Sequence, residues 1–249
     1  MLFVKAITVI LLILSIYGAT LGLFFAISVR TVTLFPIAQS YSWQIVPLAN
    51  NGGSDNFEIT SWHDHHNMRG WIAFNISSVP QNVWIQSATL RLRLWQKTTN
   101  QNDLGDPTGR IYAVYMLTQP WSGTRVNWVN QPSWTDYHSA SSPVPPGQGG
   151  WNGPLIWMDW DLTKIVSDWN SGVPNYGVVV KDTEENATLL YSTQFFTFHQ
   201  TPNESYFPRL MITYVNPSGV YAVLAVVFTE TVLFSFFWMR SQSTKHGAK

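Results

Sequence analysis

Thr89-Leu90-Arg91-Leu92-Arg93-Leu94-Trp95 alternates apolar and polar residues without a break up to Leu94. Side chains along a strand point to opposite faces, so this spacing puts the three leucines on one face and Arg91, Arg93 and Trp95 on the other. The stretch predicts a strand with its leucine face turned to a core. Read outward from there, the same alternation turns Ile72, Phe74 and Ile76 inward with Trp71 outward. It turns Met158 and Trp160 inward with Trp157 outward, and Leu210, Ile212 and Tyr214 inward. Short alternating runs separated by turn residues predict an all-β fold, an antiparallel jelly-roll-like β-sandwich. One segment departs from it. Residues 161–169 carry capping residues and then apolar positions at helical spacing, and Gly172 follows, so a short covering helix is expected. Residues 133–153 are rich in Pro, Gly and Ser and show no period, which predicts a long loop, with a second polar loop at 97–109.

Two uncharged apolar stretches bracket the sandwich: residues 6–29, closed by Lys5 and Arg30, and residues 219–239, closed by Arg240. Each is long enough for a helix to cross the ~30 Å hydrocarbon core, and the first exceeds the ~7–15-residue apolar core of a signal peptide. The expected organisation is an N-terminal transmembrane helix or uncleaved signal anchor at 1–30 and an extracellular sandwich at 31–218. A C-terminal transmembrane helix at 219–240 and a short basic tail at 241–249 complete it. Small residues at Gly18-Ala19-Thr20 and Ala26-Ile27-Ser28 leave cleavage of the first span as the alternative. Lys5 before the first span and Arg240, Lys245 and Lys249 after the second favour cytoplasmic ends, which places the sandwich outside a cell membrane or virion envelope. Glu230 falls near the middle of the second span, where an ionised, unpaired carboxylate costs ~2.5–3.5 kcal/mol. An antiparallel crossing would bring Tyr17 to its depth, and Gly18 and Gly22 form a small-xxx-small pair that lets another helix approach closely.

Composition excludes several function classes. Net charge is zero and only 11% of residues are charged, so the chain has no basic field for nucleic acid. It contains no cysteine, which excludes a disulfide framework, thiol catalysis and cysteine-ligated metal. Its 13 tryptophans exceed what a core alone needs, so some are expected at the surface.

With these elements placed, four ordered segments carry a resemblance. They are Arg69-Gly70-Trp71-Ile72-Ala73-Phe74-Asn75-Ile76-Ser77-Ser78-Val79-Pro80 running into residues 85–92, and Trp121 through Trp128 to Asn130-Gln131-Pro132. The third runs from Trp160-Asp161-Leu162-Thr163 through Trp169 and Gly172 to Asn175-Tyr176-Gly177. The fourth joins Tyr191-Ser192 to Pro208-Arg209-Leu210-Met211-Ile212-Thr213-Tyr214. Over residues 54–215 the chain resembles the DNRLRE-type domain, a β-sandwich family of secreted and surface proteins that includes carbohydrate-binding modules. It departs from the family at Asn75, Gly123 and Arg125, where Asp, Glu and Thr are usual, so roles resting on those carboxylates do not transfer. The resemblance implies that Trp121, Trp128 and Trp169 build the domain.

Two groups of residues suit ligand binding. Trp71, Arg91, Arg93 and Trp95 form an expected outward strip, in which rings stack on sugar faces and guanidinium groups clamp carboxylate or sulfate. The alternative is cross-strand pairing of the arginines. Trp134, Tyr137 and Trp151 in the long loop, with Trp157 beside them, form a second candidate surface at the end of the sandwich. His63-Asp64-His65-His66 and residues 50–56 are the weakest candidates, for a transition metal and for Ca²⁺, and both read equally as polar turns, so no metal site is assigned. No nucleophile elbow, phosphate loop or Ser/His/Asp arrangement is legible, and no catalytic residue is assigned. The expected protein is a non-catalytic, membrane-anchored surface sandwich that binds a glycan or other surface polymer without a cofactor. A structural envelope, sheath or virion subunit that assembles as a homo-oligomer through the sandwich is the alternative.

Overall fold

The computed structural model describes residues 15–22, 28–99, 110–144, 156–188, 190–197, 203–216, 221 and 224–234. Eleven strands occur among them: β1 (Val29–Leu34), β2 (Pro36–Trp43), β3 (Asn56–Ser61), β4 (Met68–Phe74), β5 (Trp84–Thr99), β6 (Ile111–Leu117), β7 (Trp134–Pro143), β8 (Trp157–Asp161), β9 (Val178–Asp182), β10 (Tyr191–Phe196) and β11 (Arg209–Val215). They follow the hydrogen-bonded order β1-β11-β5-β10-β3-β4-β9-β6-β7, with β2 on β4 and β8 on β5. The fold is thus mostly antiparallel β, as a sandwich requires.

Alternation explains why β5 sits at the centre. Its first part pairs with β8 (Leu92 opposite Met158) and its later part with β10 (Leu94 opposite Phe195), so one strand serves both sheets. Leu90, Leu92 and Leu94 are fully buried together with Phe57, Ile59, Phe74, Trp160, Phe195, Leu210 and Ile212, and Tyr214 is nearly so. Each fully buried large apolar side chain contributes about 1.5–3 kcal/mol. Gly70 lies directly under the Phe57 ring, in space that a Cβ would need.

Two expectations require correction. Trp71, expected outward, is completely buried, because β4 is covered on both faces. Leu117, Val126 and Val179 pack on it, and its indole N–H donates to Ser42 Oγ at 3.1 Å. Alternation separates two faces but does not say whether the second is also covered. Part of the long loop expected at 133–153 is strand β7, which pairs with β6 through a bulge between Val114 and Met116. Backbone ladder bonds carry that edge strand, so its side chains need no apolar period. The predicted helix forms as α1 (Thr163–Asn170), with Asp161 Oδ1 accepting the Thr163 N–H at 2.9 Å, and Gly172 follows it at φ +111°.

Residues 31–213 form one compact unit, and residues 1–30 with 214–249 form another. In the latter, 15–22 and 224–234 are helical. Tyr17 Oη lies 3.5 Å from Thr231 Oγ1, and both side chains line a cavity of about 170 Å³ with Ile16, Glu230 and Phe234. Glu230 Oε2 is buried without a hydrogen-bond partner among the described residues. No described atom lies within 4 Å of a Cβ built on Gly18 or Gly22, the pair expected to admit a second helix. Among the described residues no helix is long and apolar enough to cross a membrane, and much of both apolar stretches lies outside those residues.

Candidate functional site

The outer face of β5 and its two neighbours gathers a cationic, aromatic cluster. Arg91 and Arg93 point away from the leucine core, opposite Asp159 and Trp157 on β8. On the other side of β5, strand β11 presents Arg209 outward by the same alternation that buries Leu210 and Ile212. All three guanidinium groups converge on one ring. Their central carbons lie 5.3 Å (Arg91), 5.5 Å (Arg93) and 4.6 Å (Arg209) from the Trp157 ring centroid. Arg93 also lies 5.1 Å from the ring of Tyr206, which packs on Phe196, and Phe196 packs on Trp95.

Partners of the three arginines differ. Arg91 Nε donates to Asp159 Oδ1 at 2.7 Å in a partly exposed pair. Arg209 donates to the carbonyls of Phe207 and Glu204, each at 3.3 Å, and to that of Ser205, so the chain before β11 fixes its plane. Arg93 Nε is buried with no hydrogen-bond partner among the described residues. Burial, reinforced by the like charges of Arg91 and Arg93, lowers the Arg209 pKa. Three cations and one ion-paired carboxylate leave a surplus of positive charge that an anion would relieve.

The structure brings Arg91, Arg93, Trp95 and Trp157 to this face and removes Trp71 from it. Arg209 and Tyr206 join it although sequence reasoning did not single them out. The signal for Arg209 was present, since it occupies the outward phase of the Leu210-Ile212-Tyr214 run, whereas Tyr206 arrives through a 3₁₀ turn that has no strand period. Of the second candidate surface, only Trp134 and Trp157 have described side chains. Trp134 packs on Trp71 (6.3 Å between ring centroids) and lies 5.0 Å from the Arg69 guanidinium, whereas Trp157 belongs to the arginine cluster. The Tyr137 side chain and Trp151 lie outside the described residues.

The Arg69 cluster is structural. Its guanidinium forms a two-pronged pair with Glu185 (2.6 and 2.7 Å) and lies 4.3 Å from the Trp128 ring centroid. Trp121 donates to the Tyr176 carbonyl at 2.7 Å, and Trp169 is buried. The histidine run forms the turn between β3 and β4, with Asp64 and His65 at positive φ and His63 bonded to Asp64. Among the described residues no three His, Asp or Glu side chains converge as metal ligands. In the candidate calcium loop the Asn50 and Asn51 side-chain amides donate to the carbonyls of Gly123, Val126 and Tyr41.

No curated protein matches the chain. A family model does: that of carbohydrate-binding module family 96, over residues 30–214, which takes in every strand described above except the ends of β1 and β11. The match covers most of the sequence, and the chain belongs to carbohydrate-binding module family 96.

Proposed function

We propose that the chain is a non-catalytic, membrane-anchored binding module that holds acidic polysaccharide on the outer face of β5, β8 and β11. The observation that carries this reading is the convergence of Arg91, Arg93 and Arg209 on Trp157 with one carboxylate, Asp159, among them. A planar guanidinium fork matches a uronate carboxylate or a sulfate ester, and Trp157 and Trp95 supply apolar faces for sugar rings. The finer likeness to DNRLRE-type domains rests on the four sequence segments.

Anchoring is supported by the two uncharged apolar stretches and by helical residues whose apolar side chains face outward, such as Leu21 (59% exposed), Leu224 (59%) and Phe228 (71%). In water such surface is costly, and in lipid it is not. The sandwich then lies outside the membrane, with the basic C-terminal tail in the cytoplasm.

A glycan array probed with the full-length chain in detergent, run beside sizing of the same sample, tests the proposal. Enrichment of uronate or sulfate glycans over neutral ones, by a chain that stays monomeric, is the expected result. Self-association with no glycan bound would favour an assembling coat protein instead.

A further inference from the structure

The arginine face leaves unused a second cavity, of about 290 Å³, on the outer side of β3, β4 and β10. Its floor is Glu58, Thr60, Met68, Ser192 and Gln194, and Trp43 and Trp62 are among its walls. We propose that this groove is a second saccharide site, one that takes an uncharged sugar residue. The site is independent of the acidic-polysaccharide reading.

Three observations carry the inference. First, the floor is a preorganised polar network. Glu58 Oε1 accepts from Ser192 Oγ (2.5 Å) and Thr60 Oγ1 (3.3 Å), and Oε2 accepts from Asn56 Nδ2 (3.2 Å) and Gln194 Nε2 (3.2 Å). With four donors on it, the carboxylate is spent on holding its neighbours in place. The Ser192 oxygen and the Gln194 amide oxygen are left to accept from ligand hydroxyl groups, as a site that orients a polar ligand requires. Second, half-buried Trp43 and Trp62 offer apolar ring surface beside that network, and the indole N–H of Trp43 is covered without a partner among the described residues. An unsatisfied buried donor is rare enough to call for an explanation. Third, among the described residues no Arg or Lys lines the groove; its ionisable groups are Glu58 and His66, and the Glu58 carboxylate repels uronates and sulfates, so the charge logic differs from that of the arginine cluster. Gln194 and Phe196 lie on the same face of β10, and Phe196 packs on Trp95, so the groove continues the face that carries the arginines. Its volume matches the lower limit of ligand pockets, about 300 Å³, which suits one or two sugar units.

Tryptophan fluorescence titration of the full-length chain tests this, with tetrasaccharides of β-1,4-glucan, β-1,4-mannan and β-1,4-galactan as probes and the thermal unfolding midpoint as a folding control. At least one probe should bind the wild type. Trp62→Ala and Gln194→Ala should each weaken that binding at least tenfold while shifting the midpoint little, and Arg93→Ala combined with Arg209→Ala should leave it unchanged. The proposal is overturned if no probe binds, if binding survives in either groove variant, or if the arginine variant abolishes it.

Discussion

Truncating Glu185 to alanine removes one half of the ion pair that ties β4 to the turn after β9. Its carboxylate meets Arg69 Nε at 2.6 Å and a terminal nitrogen at 2.7 Å, and the two side chains are only 13% and 15% exposed. Arg69 lies near the rings of Trp128 and Trp134, with Gln131 Oε1 at 3.0 Å as its remaining side-chain acceptor. Leaving a covered guanidinium short of its counter-charge costs about 3–5 kcal/mol. In a domain of this size 1 kcal/mol shifts the midpoint by roughly 2–4 °C, so Glu185→Ala should melt about 6–20 °C lower at pH 7. The acid dependence has a definite sign. Burial alone would raise the Glu185 pKa, but the Arg69 bonds and the charges of Arg69 and Lys181 outweigh it, so the group titrates below its ordinary 4.5. Its stabilisation is therefore present above about pH 4.5 and is lost as pH falls through the lowered folded value. Melts of wild type and variant at pH 7 and pH 3, followed by near-ultraviolet circular dichroism, check both parts. A gap below about 1 kcal/mol at pH 7, or one just as wide at pH 3, would refute the reasoning, since the pair would then contribute no more than an exposed one.

Other substitutions test other parts of the account. Leu92→Ala should cost about 2–5 kcal/mol in denaturant titration, since the side chain is completely buried between the sheets. Gly70→Ala should cost about 1–3 kcal/mol in the same assay, because its methyl group falls on the Phe57 ring, and an unchanged midpoint would show that the ring moves aside freely. The full-length chain in lipid vesicles should resist extraction by alkaline carbonate, and its release into the wash would contradict membrane anchoring.

How much of this was legible in the sequence depended on what each residue's role required. The Leu90-Leu92-Leu94 and Leu210-Ile212-Tyr214 faces could be read directly, because a half-buried strand must alternate. Trp71 could not, because its burial depends on residues 117–134 folding over β4, a long-range fact without a local period. Strand β7 was hidden for a related reason: Ser141, Ser142 and Pro143 are turn-forming types held in a strand by pairing with β6. At the arginine face, three of the four outward positions expected are found together, and the fourth was replaced by residues from β8, β11 and the 3₁₀ turn. The groove around Glu58 gave no signal, since Trp43, Trp62 and Gln194 come from three separate segments joined only by strand order.

The central claim is that the guanidinium cluster on Trp157 holds acidic polysaccharide, and calorimetric titration of the full-length chain with heparin and with polygalacturonate tests it most directly. Arg93→Ala combined with Arg209→Ala removes two charge-assisted contacts of about 1.5–3 kcal/mol each, a loss of roughly 100-fold or more in affinity. The account predicts binding by the wild type to at least one of the two polymers, weakening as salt is raised, and that loss in a variant that still folds. No binding to either polymer, or equal affinity in the folded double variant, would contradict it.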